Sequence, residues 1–143
     1  MAYLVGVILA VAICGLGTIA GFDSDRAFYA AMTIVVASYY ALFAVMGGGT
    51  QVLLYELIGV TVFLLAAVLG FRRNLWFLVA ALAGHGVFDF IHGALITDPG
   101  VPAWWPPFCL AFDVIAALYL AALLARGRIQ ALAGGPGSGP GRR

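Results

Sequence analysis

Five long apolar segments, separated by short polar connections, make up most of the pattern along the chain. They cover residues 2–21, 27–46, 52–70, 75–96 and 107–125. A helix needs roughly 20 residues to cross about 30 Å of hydrocarbon, and each segment is close to that length. The pattern therefore predicts an all-α integral membrane protein, with a bundle of five transmembrane helices in residues 1–128.

Composition supports the same fold class. Of the 143 residues, 64% are hydrophobic and 9% are charged, whereas soluble domains carry roughly 25% charged residues. This balance excludes an ordinary soluble domain and indicates a multi-pass protein of the cell membrane. The expected partners are the lipid bilayer and a lipidic small molecule, and no nucleic acid is expected. The sequence leaves a homo-oligomer open.

The two ends of the chain need separate interpretation. The first apolar segment has no basic residue before it, whereas a signal peptide has a positively charged start, so the segment is predicted to be a retained helix. Residues 129–143 are rich in Gly and Pro, and such a composition is typical of a disordered tail.

The arginines predict an orientation. They occupy the first connection, the third connection and the region after the fifth segment: Arg26, Arg72, Arg73, Arg126, Arg128, Arg142 and Arg143. With five spans these three regions lie on one side, which the positive-inside rule makes cytoplasmic. The N-terminus is then outside and the C-terminus is cytoplasmic.

Five ionisable residues interrupt the apolar segments: Glu56, His85, Asp89, His92 and Asp113. A charged group at a helix centre costs roughly 2.5–3.5 kcal/mol on insertion scales. Pairing of these groups with one another, or with a bound cation, is the least costly way to offset this free energy. These five residues are therefore the candidate catalytic set.

Spacing and depth suggest where these groups meet. His85, Asp89 and His92 follow an i, i+4, i+7 pattern on one face of the fourth helix. Asp89 and Asp113 are predicted roughly 9–10 Å below the outer boundary, and His85 about a turn deeper. Glu56 and His92 share a slightly higher level, and Tyr40 lies at the level of Asp89. We expect Asp89, His92 and at least one of Glu56 and Asp113 to lie within hydrogen-bond or ligand distance of one another, directly or through one water or ion.

Three kinds of chemistry fit this pattern. His85, Asp89 and His92 can begin a site for Zn or Fe, with Glu56 or Asp113 as a further ligand or general base. Such a site predicts a small membrane enzyme that acts on a lipidic or isoprenoid substrate, by metal-assisted hydrolysis. The alternatives are a metal-free acid/base isomerase or cyclase of a sterol-like or terpenoid-like substrate, and a proton-coupled transporter or ligand-binding protein. Hydrogen bonds that merely hold the helices together are the structural alternative.

A substrate pocket is predicted next to these groups, in the outer leaflet. Tyr40 lies at their depth, and Cys109 shares a helix face with Asp113 at i, i+4. The connection before the fifth helix carries Trp104 and Trp105 between prolines, which stiffen the backbone. Tryptophans at this depth suit either a cover for the pocket or an anchor at the membrane interface.

Overall fold

The computed structural model describes residues 1–131, and five long helices form most of that region. Their bounds are α1 Ala2–Ala20, α2 Ala27–Phe43, α3 Thr50–Arg72, α4 Trp76–Leu95 and α5 Trp105–Ala125. The second helix continues as a π-helical turn over Ala44–Gly48. All five are long and apolar enough to cross a membrane, which confirms the predicted all-α fold class and the number of candidate spans in the described residues.

The helices pack in an order that differs from their order in the chain. The helix α5 packs against both α1 and α4, α3 packs against both α4 and α2, and α2 also contacts α4. The helices α1 and α2 make little direct contact with each other. This arrangement leaves a lateral cleft between α1 and α2, with α5 as its floor.

Two glycines allow α5 to approach its neighbours closely. A Cβ added at Gly6 of α1 would collide with the carbonyl oxygen of Phe108, and one at Gly86 of α4 would lie 3.3 Å from the carbonyl oxygen of Leu110. Small residues permit such close backbone approach between apolar helices. The α1–α5 and α4–α5 contacts therefore depend on these two positions.

The fifth helix begins two residues earlier than the apolar pattern indicates. Trp105 is its first residue, and Pro106 lies in the first helical turn. A proline is tolerated there because the N–H groups of the first turn have no partner within the helix. The earlier start places Asp113 eight residues into α5, or roughly 12 Å along it.

Arg26 connects neighbouring parts of the chain at the end of the bundle where α1, α3 and α5 finish. Its guanidinium donates hydrogen bonds of 2.8–3.2 Å to four carbonyl oxygens, those of Gly70, Phe71, Gln130 and Ala131. Ala131 also accepts a hydrogen bond from the backbone N–H of Leu75, at 2.8 Å. Residues 129–131, the first three of the predicted tail, therefore pack against the helices. The rest of that tail lies outside the described residues.

Candidate functional site

The five ionisable residues of the apolar segments are all buried inside the bundle. Each of their side chains is at most 2% exposed, and they come from three helices, α3, α4 and α5. Together with Cys109 they form two groups of neighbouring side chains, which we call the His85 group and the His92 pair. The His85 group contains His85, Asp89, Cys109 and Asp113, and the His92 pair contains His92 and Glu56.

The His85 group joins α4 to α5. The Nδ1 atom of His85 lies 2.6 Å from Oδ2 of Asp113 and 3.4 Å from Oδ2 of Asp89. The thiol of Cys109 donates a 3.8 Å hydrogen bond to the same Asp113 oxygen. An ionised carboxylate can only accept hydrogen bonds, so Nδ1 carries a proton when Asp113 is ionised.

The four side chains of the His85 group have the chemistry and spacing of a metal site. One ligand atom from each lies within 4.8 Å of all the others. Atoms bound to the same ion at roughly 2.0–2.3 Å are separated by about 3–4 Å, a range that includes the 3.4 Å and 3.8 Å separations above. For all four residues to bind one ion, the 2.6 Å contact between His85 and Asp113 has to lengthen, and the widest separations, up to 4.8 Å, have to shorten.

Two carboxylate oxygens of this group have no hydrogen-bond partner among the described residues. They are Oδ2 of Asp89 and Oδ1 of Asp113, and both are inaccessible to solvent. A buried polar atom without a partner is costly, and the cost is larger for a charged one. A cation bound at these oxygens would remove this cost, and protonation of a carboxyl group would remove part of it.

The His92 pair joins α4 to α3. Nε2 of His92 is 2.7 Å from Oε1 of Glu56 on α3. The second oxygen of Glu56 is buried and has no hydrogen-bond partner in the described part of the chain. The pair therefore compensates one buried carboxylate with one imidazole.

Tyr40 connects the two groups. Its hydroxyl donates a 2.6 Å hydrogen bond to Oδ1 of Asp89, and its ring stacks on the ring of His92 with 4.0 Å between centroids. The sequence placed Tyr40 in the substrate pocket. In the structure it is buried behind Asp89, where it fixes the direction of that carboxylate.

The metal set proposed from the sequence was His85, Asp89 and His92, and the structure separates its third member. His92 points towards Glu56 on α3, whereas His85 points towards Asp113 on α5. Spacing of i, i+4, i+7 places three residues on one broad face, but that face meets more than one neighbouring helix. Cys109 completes the group instead, and the signal for it was its i, i+4 spacing from Asp113.

His85 meets Asp113 although the sequence placed it about a turn deeper. The helix α4 ends at Leu95, so His85 lies ten residues, or roughly 15 Å, below its end. The early start of α5 lowers Asp113 to roughly 12 Å on the same scale. The remaining difference in depth is small enough for the two side chains to bridge.

The cleft between α1 and α2 contains an apolar groove with a volume of about 440 Å³. Its volume falls in the range of roughly 300–1,000 Å³ that is usual for small-molecule sites. Residues of α1, α2 and α5 line it, among them Leu9, Ile13, Met32, Val36, Phe108 and Phe112. Sequence periodicity did not identify the lining residues on α1 and α2, because almost every position of those helices is apolar.

Two of the predicted pocket residues line this groove, namely Trp105 and Cys109. Cys109 belongs both to the groove wall and to the His85 group, so the groove ends against that group. Trp104 is 56% exposed and packs beside Trp105 and Phe108, outside the groove lining. The structure thus places one of the two tryptophans at the groove and the other on the surface.

Comparisons with known proteins add no assignment to this geometry. The chain matches no protein-family model, no curated protein and no solved structure. Inference about function therefore starts from the two buried groups and the groove.

Proposed function

We propose that the protein is an integral membrane enzyme that acts on a lipidic substrate, with a divalent transition metal bound by His85, Asp89, Cys109 and Asp113. The observation that carries this proposal is the coincidence of two features. Four potential ligand atoms lie within 4.8 Å of one another in a buried group. One of the four residues, Cys109, also forms the wall of an apolar groove.

The donor set suits zinc or iron. Imidazole and thiolate favour these metals over magnesium and calcium, and carboxylates can complete the shell. A metal here would polarise a carbonyl oxygen or activate a water molecule. In metal-assisted hydrolysis of an ester, the oxygen of water bonds to the carbonyl carbon. The bond to the alcohol oxygen breaks, and the alcohol leaves with a proton from that water.

The groove accounts for a lipidic substrate. Its inner residues, such as Val36 and Phe112, are buried, whereas Leu9 and Val35 at its edge are exposed on the flank of the bundle. In a bilayer that flank faces lipid. An apolar molecule can therefore enter sideways and reach the His85 group at Cys109 without crossing water.

Acid/base isomerisation or cyclisation without metal is the second candidate. The 2.6 Å hydrogen bond between His85 and Asp113 favours it, because a histidine paired with a carboxyl group can hold and transfer a proton. The same groove would then present an olefin or ketone of an isoprenoid or sterol-like molecule to this pair.

Elemental analysis of the purified protein tests the proposal. One equivalent of zinc or iron per chain is expected, and it should be lost after chelation and restored by adding the metal. A chain without metal that retains a bound isoprenoid would select the second candidate. Proton or ion flux in liposomes would instead favour a transporter and overturn the enzyme proposal.

Replacement of Tyr40 by phenylalanine is expected to weaken metal binding by about 10–100-fold, the usual effect of losing a group that orients a ligand. The variant loses only the hydrogen bond to Asp89. Competition with a chromophoric chelator gives the affinity. Tyr29→Phe is the matched control, because Tyr29 is also a fully buried tyrosine but belongs to neither the His85 group nor the His92 pair. Equal metal affinities in both variants would show that Tyr40 does not support metal binding.

Orientation in the membrane is part of the proposal, with the arginine-bearing end of the bundle in the cytoplasm. Both native cysteines are buried, so a membrane-impermeant maleimide should report introduced cysteines. In intact cells, Thr50→Cys, at the other end of the bundle, is expected to be labelled. Gln130→Cys is expected to be labelled only after the cells are opened. The reverse pattern would invert the orientation.

A further inference from the structure

Uncharged side chains form the whole lining of the groove. It is lined by twelve described residues, and none of them is Asp, Glu, Lys, Arg or His. Among the lining side chains, Tyr39, Trp105 and Cys109 carry the O–H, N–H and S–H groups. A charged group that entered the groove would therefore lose its hydration without gaining an ionic partner.

Every arginine in the described part of the chain lies away from the His85 group. Arg72 and Arg73 lie at the C-terminal end of α3, and Arg126 and Arg128 follow that of α5, at the end of the bundle remote from the group. Arg26 lies two residues before Phe28 at one end of the groove, but its guanidinium is occupied by the four carbonyl oxygens described above. No described arginine is therefore placed to bind a phosphate at the reactive end of the groove.

The His85 group offers no net positive charge to an anion. It contributes two carboxylates, and Cys109 adds a third negative charge if it binds metal as a thiolate. Two or three negative ligands fully compensate a divalent ion, so the metal leaves no net positive charge for a phosphate. Without metal, two ionised carboxylates outweigh the single positive charge of a protonated His85.

From these charges we infer that the groove binds a lipid whose polar end is an uncharged oxygen function, an ester or a hydroxyl, placed against Cys109. The inference rests on the proposed function, since it assumes that the groove is the substrate site. The acyl or isoprenoid chain lies between α1 and α2. Phospholipids and other lipids with a phosphate group are excluded from the reactive end.

A matched pair of lipids tests this inference. The probes are 1-oleoylglycerol and 1-oleoylglycerol 3-phosphate, which differ only in the phosphate. A phosphate monoester carries about −1.5 to −2 charges at pH 7, so the two probes differ chiefly in the charge of the polar end. Binding to the metal-loaded protein in detergent is measured by native mass spectrometry and by the shift in thermal unfolding. The neutral probe should bind at least about tenfold more tightly, since like charges brought together at a binding site oppose association.

Two Val→Trp variants show whether the neutral probe occupies the groove. Val35 lines the groove and is 51% exposed, whereas Val62 on α3 is 56% exposed and does not line it. Both substitutions add a large apolar side chain at a lipid-facing position. Val35→Trp should block binding of 1-oleoylglycerol, and Val62→Trp should leave it unchanged.

The possible outcomes separate this inference from the proposed function. Equal or tighter binding of the phosphate probe would overturn the inference, as would binding that Val35→Trp does not affect. If neither probe binds, the neutral-lipid inference also fails. In all these cases one equivalent of bound metal would still support the metal site. Selective binding of the neutral probe to a chain that holds no metal would support the inference and refute the metal site.

Discussion

Asparagine in place of Asp113 or Asp89 is expected to give a folded protein that has lost its bound metal. Asparagine has nearly the same shape, but its neutral amide is a poor ligand for zinc or iron. Loss of a buried charge also removes a desolvation cost, which offsets the weakened hydrogen bonds. We therefore expect the free energy of unfolding to change by no more than about 1–2 kcal/mol, the scale of an ordinary substitution.

Metal content and thermal unfolding, measured on the same samples, check this prediction. Asp25→Asn is the control, because the Asp25 side chain is exposed and accepts a hydrogen bond from the N–H of Ala27, which asparagine can also accept. This variant should keep both metal and stability. If Asp113→Asn kept its metal and lost only stability, the His85 group would be a structural contact between α4 and α5.

Removal of one member of the His92 pair is expected to destabilise the protein strongly. In His92→Leu, Glu56 stays buried and loses its 2.7 Å partner. Breaking a buried ion pair in this way costs about 3–5 kcal/mol, because the remaining charge has no compensation. Denaturant unfolding in detergent micelles should show this loss as a midpoint at a lower denaturant concentration than in the unmodified chain.

The double variant Glu56→Leu/His92→Leu provides the matching control. Replacing both partners by apolar residues removes the uncompensated charge, and such replacements are often neutral or stabilising. Most of the lost stability should therefore return, while the metal content stays unchanged because neither residue belongs to the His85 group. Loss of metal in the double variant would instead show that the metal site depends on this pair, either directly through His92, as the sequence suggested, or through the Tyr40 ring that stacks on His92.

The sequence alone predicted the five long apolar helices, because length and apolar composition are local properties of a segment. About 20 consecutive apolar residues are sufficient to mark a candidate span, whatever the rest of the chain does. The five predicted segments and the five described helices differ by only a few residues at their ends. The earlier start of α5 was not evident, because Trp105 and Pro106 resemble a connection in the sequence but the structure includes them in the first turn.

The sequence also identified which residues are unusual. An ionisable side chain in an apolar segment stands out wherever its helix packs, and all five such residues are buried in the structure. Helix periodicity showed which of them share a face. It did not show which neighbouring helix each one meets, because that depends on the rotation of α4 relative to α3 and α5.

Only the tertiary structure decided the partners and the groove. It paired His85 with Asp113 and His92 with Glu56, and it added Cys109 to the first group. It also left α1 in contact with α5 and apart from α2, which opens the groove. Apolar helices have no hydrophobic preference for one another over lipid, so close packing at small residues such as Gly6 and Gly86 decides which of them meet.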